Sequence, residues 1–271
     1  MKHAAAPFNS VEKALRILKA FEGERSYWGV RELSAHLGFS PATVQRILQT
    51  LKAYAFVDQD PHTRQYRLGN IYFGFLQSLQ RMYPVAQVAQ SFMKQLLART
   101  QETVHLNVIE RNERICIDTM ESSQNLKGFM PIGSRSPLYA GASSKCLLAF
   151  SDRDFITAYL RQVKPAAITK STLIDRKKIL AELEAIRKQG YAASLGERNP
   201  GLGSLSVPIR DCRGALLAAI SLAIPELRYR DQKLRKKYIK ELLLVAKLFS
   251  EAMGHRVIRN GPKMITDDAS G

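Results

Sequence analysis

The stretch "GFSPATVQRILQTL", Gly38 to Leu51, carries side chains whose ends can read a nucleic-acid base. As a helix it sets Val44, Ile47, Leu48 and Leu51 at i, i+3, i+4 and i+7, one buried face. Thr43, Gln45, Arg46 and Gln49 then share the opposite face. Arg can donate twice to guanine O6 and N7, Gln can pair with adenine, and Thr can meet a thymine methyl or a phosphate. A helix that only needs solubility usually takes Lys and Glu there. Ser40 and Ala42, at the start of the same helix, complete this candidate DNA-contacting set.

Catalytic chemistry has fewer supporters. Cys146 and His105 could in principle pair as nucleophile and base. Cys146, however, lies in the apolar run "KCLLAF", where a lone Cys is far more often packing. "GASSK" lacks the phosphate-loop spacing, "GLGS" lacks a third glycine, and Ser204 lacks the nucleophile-elbow frame. The five His and the acids show no ligand spacing for a metal. The expectation is therefore no enzyme, no cofactor and no metal.

The elements around the reading face point the same way. "SVEKALRILKAFE" opens with Ser10 as the expected N-cap and carries Val11, Ala14, Leu15, Leu18 and Phe21 as its apolar stripe. "VRELSAHLG" is a second short helix on Val30, Leu33 and Leu37, stopped by Gly38. Ser40 caps the next helix, and Pro41 suits its first turn. Two short helices joined by a Gly-containing turn are a helix-turn-helix, whose second helix commonly enters the major groove. A β-hairpin of Phe56–Gln59 against Arg64–Leu68 follows, turning at Asp60-Pro61-His62-Thr63. That completes a winged helix-turn-helix, with the wing tip offering Arg64, and His62 beside it, to a phosphate or the minor groove.

Length and charge bound the rest. The 271 residues allow two domains, and the 45% hydrophobic content can fill real cores. A net charge of +17 suggests a polyanionic partner. Residues 1–69 carry only +4 of it, so charge supports DNA binding without localising it. No apolar run approaches a membrane span, and the N-terminus has no signal-peptide core. Three widely spaced cysteines make no metal or redox motif and favour a reducing compartment, so a cytoplasmic protein is expected.

"NIYFGFLQSLQRM" and "PVAQVAQSFMKQLLARTQE" read as two helices broken at Tyr83-Pro84. The first has a wide apolar face of Ile71, Tyr72, Phe75, Leu76 and Leu79. Core packing and a dimer seam are both open for it. Beyond Thr103 come a hairpin turning at Arg111-Asn112-Glu113, a helix within "SPLYAGASSKCLLAF", and an amphipathic helix ending at Gly190. Two apolar strands around Asp211-Gly214 and a long closing helix complete the pattern. It implies an α+β domain on an antiparallel sheet. Short hydroxyl residues and glycines gather where its loops meet strands, a composition that can line a pocket for a small oxygen-rich ligand. The expected organisation is a DNA-binding domain over 8–69, a linker helix over 70–83, an effector domain over 84–254 and a loose tail over 255–271.

With both halves described, the chain resembles transcriptional regulators of the IclR family. The matching stretches are "EKALRILKAF", "VRELSAHLGFSPATVQRILQTL", "YRLG", "IGSRSPLYAGASSKCLLAF", "IRKQGYAASLGERNPGLGSLSVPIRDCRGALLAAISLAIP" and the final helix. The resemblance implies a winged helix-turn-helix, a linker helix and a GAF-like domain that binds a small effector. It also implies homodimers or homotetramers acting on partly palindromic double-stranded DNA operators. Carried over by position, effector contacts fall on Asn125, Gly128, Ser136, Ala142, Ser143, Ser194, Ser204 and Ser221. The chain departs from the family where Ser144-Lys145-Cys146 replaces the frequent Gly-Lys-Ala. Ser194 stands where an acid is frequent, though Glu197 is retained, and Gln45 stands where His is frequent. A Ser-lined pocket with Arg135 and Arg198 nearby suits a carboxylate or sugar acid. The alternatives are a GAF-like enzyme with an N-terminal interaction module and an effector-free chromosome-coating protein.

Overall fold

Asn9, not Ser10, caps the first helix. Its Oδ1 accepts from the Glu12 amide at 2.8 Å, and α1 runs Ser10–Lys19. Asn and Ser cap equally well, so side-chain chemistry alone does not choose between these neighbours. The computed structural model describes residues 9–22 and 25–255. The expected domain start at residue 8 and all of the expected tail except His255 lie outside the described residues. His255 itself is held, its Nδ1 lying 2.9 Å from the Asp211 carbonyl.

Ile17 and Phe21 are the buried residues of α1 and the turn that follows it, flanked by half-buried Ala14 and Leu18. Val11 and Leu15, expected in the stripe, are exposed. Leu15 precedes Ile17 by two residues, about 200° around a helix, and so cannot share its face. Helix α2, Val30–Leu37, begins where the Glu32 carboxylate accepts from the Gly29 amide at 2.7 Å. It ends at Gly38, whose φ of 71° needs no side-chain accommodation. Helix α3, Pro41–Ala53, is capped by Ser40, which accepts from the Thr43 amide.

Strands β1, Val57–Gln59, and β2, Tyr66–Leu68, pair antiparallel and are shorter than the expected hairpin. Asp60 Oδ1 takes the amides of His62 and Thr63 at 2.9 and 2.8 Å, and Arg64 sits at φ 60°. Those bonds close the expected turn over 60–63, while the positive φ of Arg64 keeps that residue out of the ladder, which starts at Tyr66. Trp28 adds a bridge to Tyr66, and both pack with Ile17, Leu33, Val44 and Leu48 in the first core. Helix α4, Ile71–Met82, follows. The rings of Tyr72 and Phe75 lie 5.9 and 6.0 Å from that of Phe56.

The chain divides into two compact units at Tyr83/Pro84. The second opens with α5, Pro84–Thr100. Strands β3, Thr103–Glu110, and β4, Glu113–Met120, are joined through Arg111 and Asn112, both at positive φ as a tight hairpin requires. The remaining strands are β5, Arg135–Pro137; β6, Ala192–Leu195; β7, Leu202–Arg210; and β8, Leu216–Pro225. They form one antiparallel sheet in the order β5-β4-β3-β8-β7-β6.

Helices α6, Ala142–Phe150, α7, Arg153–Gln162, and α8, Arg176–Gln189, share a second core with Ala192 and Ala219 of the sheet. A four-residue α9, Glu226–Tyr229, leads into α10, Gln232–Ala252, which packs on α5 and β7. The result is α+β, a GAF-like antiparallel sheet flanked by helices. Alternation along the strands sends His105 and Asn107 of β3 to one face, with Ser204 and Ser206 of β7 and Ser221 of β8 paired alongside through the register. This polar layer lies beneath the start of α6.

Candidate functional site

The candidate reading face is built on α3. Ala42, Arg46 and Gln49 are exposed, whereas Thr43 and Gln45 are half-buried. Ser40 and Thr43 are partly committed to the cap, their hydroxyl oxygens 2.9 Å apart. Gln45 Nε2 donates to the Tyr66 hydroxyl at 3.4 Å, tying the helix to the wing. Gln45, Gln49 and Arg64 line an open cleft of about 590 Å³ between α2, α3 and the wing. Arg31 of α2 lines it too and was not anticipated, because one Arg in a short amphipathic helix carries no distinguishing signal. The wing is braced by Arg67 and Asp58, 3.1 Å apart across the hairpin. The arrangement can place Arg46, Gln49 and Arg64 against an extended polyanion while the amide ends of Gln45 and Gln49 meet base edges.

A second site lies over the polar layer of the sheet. Here Ala142 and Ser143 at the start of α6 meet Ser194, Ser204, His105 and Met130, with Glu197, Arg198 and Asn199 closing the rim. The hollow holds about 30 Å³, room for a water or two. Ser194 Oγ accepts from the Ala142 amide at 2.9 Å and so anchors the helix start. Glu197 accepts from the Gly141 amide at 2.8 Å, and it also pairs with buried Lys145, which meets Glu182 as well. The lysine of "GASSK" is thereby a structural clamp.

Two buried polar atoms at this hollow have no partner among the described residues, His105 Nε2 and Ser204 Oγ. Burial lowers the His105 pKa to about 4, so its ring is neutral near pH 7. Asn107 Nδ2 lies 2.9 Å from His105 Nδ1, while Asn107 Oδ1 accepts from Arg114. That orientation makes Nδ1 the acceptor and leaves the proton on Nε2. Arg198, on the same wall, makes no ion pair among the described residues, and burial lowers its pKa. The hollow thus presents donors to an acceptor-rich ligand.

The expected effector contacts separate into two groups. Ala142, Ser143, Ser194 and Ser204 line the hollow. Ser136 and Ser221 are buried beside it but turned to other partners: Ser136 to Ser144 at 2.9 Å and Ser221 to Ser206 at 2.7 Å. Gly128 packs so closely on the Ala223 backbone that a Cβ would lie 2.8 Å from its carbonyl oxygen, and Asn125 is exposed; neither lines the hollow. His105 and Met130 were not anticipated as lining. The alternation in "TVHLNV" could have placed His105 on the serine face; nothing marks Met130. Cys146, whose thiol burial pushes up to about 12, is packed inside the second core and is not poised as a nucleophile.

Comparison with known proteins decides the family. The profile of the IclR helix-turn-helix domain matches residues 10–61, and that of the bacterial transcriptional regulator IclR C-terminal domain matches residues 77–251. The chain belongs to the IclR family of transcriptional regulators. The regulator KdgR of Escherichia coli K12 is 32% identical over 247 residues, covering 91% of this chain and 93% of that one. The crystal structure of IclR from Thermotoga maritima superposes with a TM-score of 0.79 at 26% identity, over 91% of this chain and 99% of that one. An IclR homologue from Microbacterium hydrocarbonoxydans, complexed with 4-hydroxybenzoate, shares the fold at 20% identity and a TM-score of 0.74, covering 90% and 99%. IclR-family proteins of this kind are regulators and not enzymes, and the matched helix-turn-helix is a DNA-binding domain. Among the described residues no helix is long and apolar enough to cross a membrane.

Proposed function

We propose that this IclR-family regulator reads a specific, partly palindromic operator as a homodimer or homotetramer, and that a small organic acid in the hollow sets its operator affinity. The observation that carries the second half is the pair of orphaned donors, His105 Nε2 and Ser204 Oγ, at one hollow with Arg198, which makes no ion pair among the described residues. Buried polar atoms are almost always satisfied, so two at one hollow call for an acceptor. A carboxylate or sugar acid supplies the acceptor oxygens and the negative charge. A protein of the same fold holds 4-hydroxybenzoate, which has that chemistry. The DNA half rests on the polar face of α3, exposed Ala42, Arg46 and Gln49 with half-buried Thr43 and Gln45, together with Ser40 at its start and Arg64 on the wing.

Self-association is supported by α4. Phe75, Leu76, Leu79 and Met82 lie along one side of the helix and are 47%, 50%, 51% and 71% exposed, and Phe73 is exposed at 73% on another side. An apolar helix of this kind normally has a partner, and a two-fold pair presents two recognition helices about 34 Å apart. Effector control requires different affinity for the DNA-competent and incompetent states, with reciprocal coupling. The test is titration of a labelled operator fragment with and without D-gluconate or 4-hydroxybenzoate. A severalfold shift in operator affinity supports the reading; unchanged affinity with bound acid removes the control.

A further inference from the structure

Arg114 of β4 is the largest fully buried side chain among the described residues, yet it makes no ion pair there. Its Nε donates to Ser136 Oγ at 2.9 Å. Its Nη1 reaches the Ser134 carbonyl and hydroxyl, both at 3.2 Å, and Asn107 Oδ1 at 3.4 Å. All of these partners are neutral, and Nη2 has none. A buried guanidinium facing only neutral groups is strongly disfavoured unless an anion completes it.

The side chain between Arg114 and the hollow is Met130. It lines the hollow, and its sulfur lies 3.5 Å from Arg114 Nη1 and 3.3 Å from Ser134 Oγ. A thioether is a weak acceptor, and Met repacks easily because its side chain is unbranched. The hollow itself is too small for a metabolite, so ligand entry must move a wall. Met130 is the wall whose displacement exposes both a cation and more room. Arg114 is also wired to the hollow through Asn107, which reaches His105.

We propose that Arg114 receives the carboxylate of the effector, reached when that ligand displaces the Met130 thioether. One carboxylate oxygen takes Nη2 and the other replaces sulfur on Nη1, a two-pronged contact that a guanidinium is shaped to make. A single negative charge balances the single charge of Arg114. The assignment rests on the effector reading above and names the residue that selects acids over neutral analogues.

Calorimetric and thermal-shift titrations of the full chain test it. The probes are acetate, pyruvate, D-gluconate and 4-hydroxybenzoate, with acetamide, D-glucose and 4-hydroxybenzamide as neutral counterparts, at constant ionic strength. Wild type is expected to bind at least one acid and to ignore its neutral counterpart. Arg114→Met is expected to fold with an undiminished melting temperature and to bind that acid roughly ten- to hundredfold more weakly. Arg114→Lys, which keeps the charge and loses the fork, should fall between them. Undiminished acid binding by both variants overturns the assignment while leaving the effector reading intact. Equal binding of acids and neutral counterparts by wild type also overturns it. A lowered melting temperature in Arg114→Met with unchanged acid affinity would make Arg114 a loop clamp instead. Binding of no probe by wild type overturns this assignment together with the effector reading.

Discussion

The Gln45 side-chain amide donates to the Tyr66 hydroxyl at 3.4 Å, so one of the candidate base-reading groups is oriented by a strand of the wing. Tyr66 is otherwise a core residue, bridged to Trp28 and almost fully buried. Tyr66→Phe should keep the packing and cost at most about 1 kcal/mol in stability. It frees the Gln45 amide to sample other orientations. Competition binding should show discrimination between operator and random DNA falling severalfold, with affinity for random DNA unchanged. Preserved discrimination would mean that Gln45 reads nothing through this contact.

Arg46 is exposed on α3 with no ion pair among the described residues, which leaves its guanidinium available to DNA. Arg46→Ala is expected to cost about 1–3 kcal/mol on a preferred operator if the contact is a bidentate base pair. Fluorescence anisotropy on operator and random fragments separates the roles. Equal losses on both would reassign Arg46 to phosphate.

His105 supplies a pH prediction. Its folded pKa of about 4 lies below the ordinary 6.5 because burial disfavours the charged ring. Between these values the unfolded chain binds a proton that the folded chain refuses, so stability falls as pH drops from 6.5 towards 4. The full difference corresponds to about 3 kcal/mol at the acid end. Denaturant melts across this window, compared with His105→Gln, should show that part of the acid sensitivity vanish. Parallel pH curves for the two proteins would mean that the ring is not buried neutral.

Much of this was legible from local rules, and the exceptions have local causes. Gly38, Ser40 and Pro41 mark the turn and start of α3 because each satisfies a backbone requirement that few other residues meet. Arg111-Asn112 marks the β3–β4 hairpin for the same reason. The three-residue β5 and four-residue β6 escaped because runs that short carry no periodicity. Helix α7 escaped although Asp152 caps it by accepting from the Phe155 amide at 2.7 Å. Of the positions carried over from the family, Ala142, Ser143, Ser194 and Ser204 line the hollow. Position alone could not tell that Ser136 and Ser221 spend their hydroxyls on Ser144 and Ser206, since those pairings depend on how β5 meets α6 and on the β7–β8 register. Arg114 in "ERICID" was invisible because its burial is a tertiary fact.

The exposed face of α4 makes oligomerisation testable. Leu76 and Leu79 are each about half exposed, at 50% and 51%, so charging them should not empty a core. Leu76→Glu with Leu79→Glu is expected to leave a folded chain of lower mass in sedimentation equilibrium. Operator binding should weaken at least tenfold, since one recognition helix then binds without its pair. An unchanged mass would place the interface elsewhere.

Nuclease footprinting on the DNA upstream of the protein's own gene and its neighbours tests the central claim most directly. The account predicts a discrete protected site with two halves about one helical turn apart, whose occupancy changes when a small organic acid is added. Protection spread without sequence preference and abolished steeply by salt would contradict it, as would no protection at low salt.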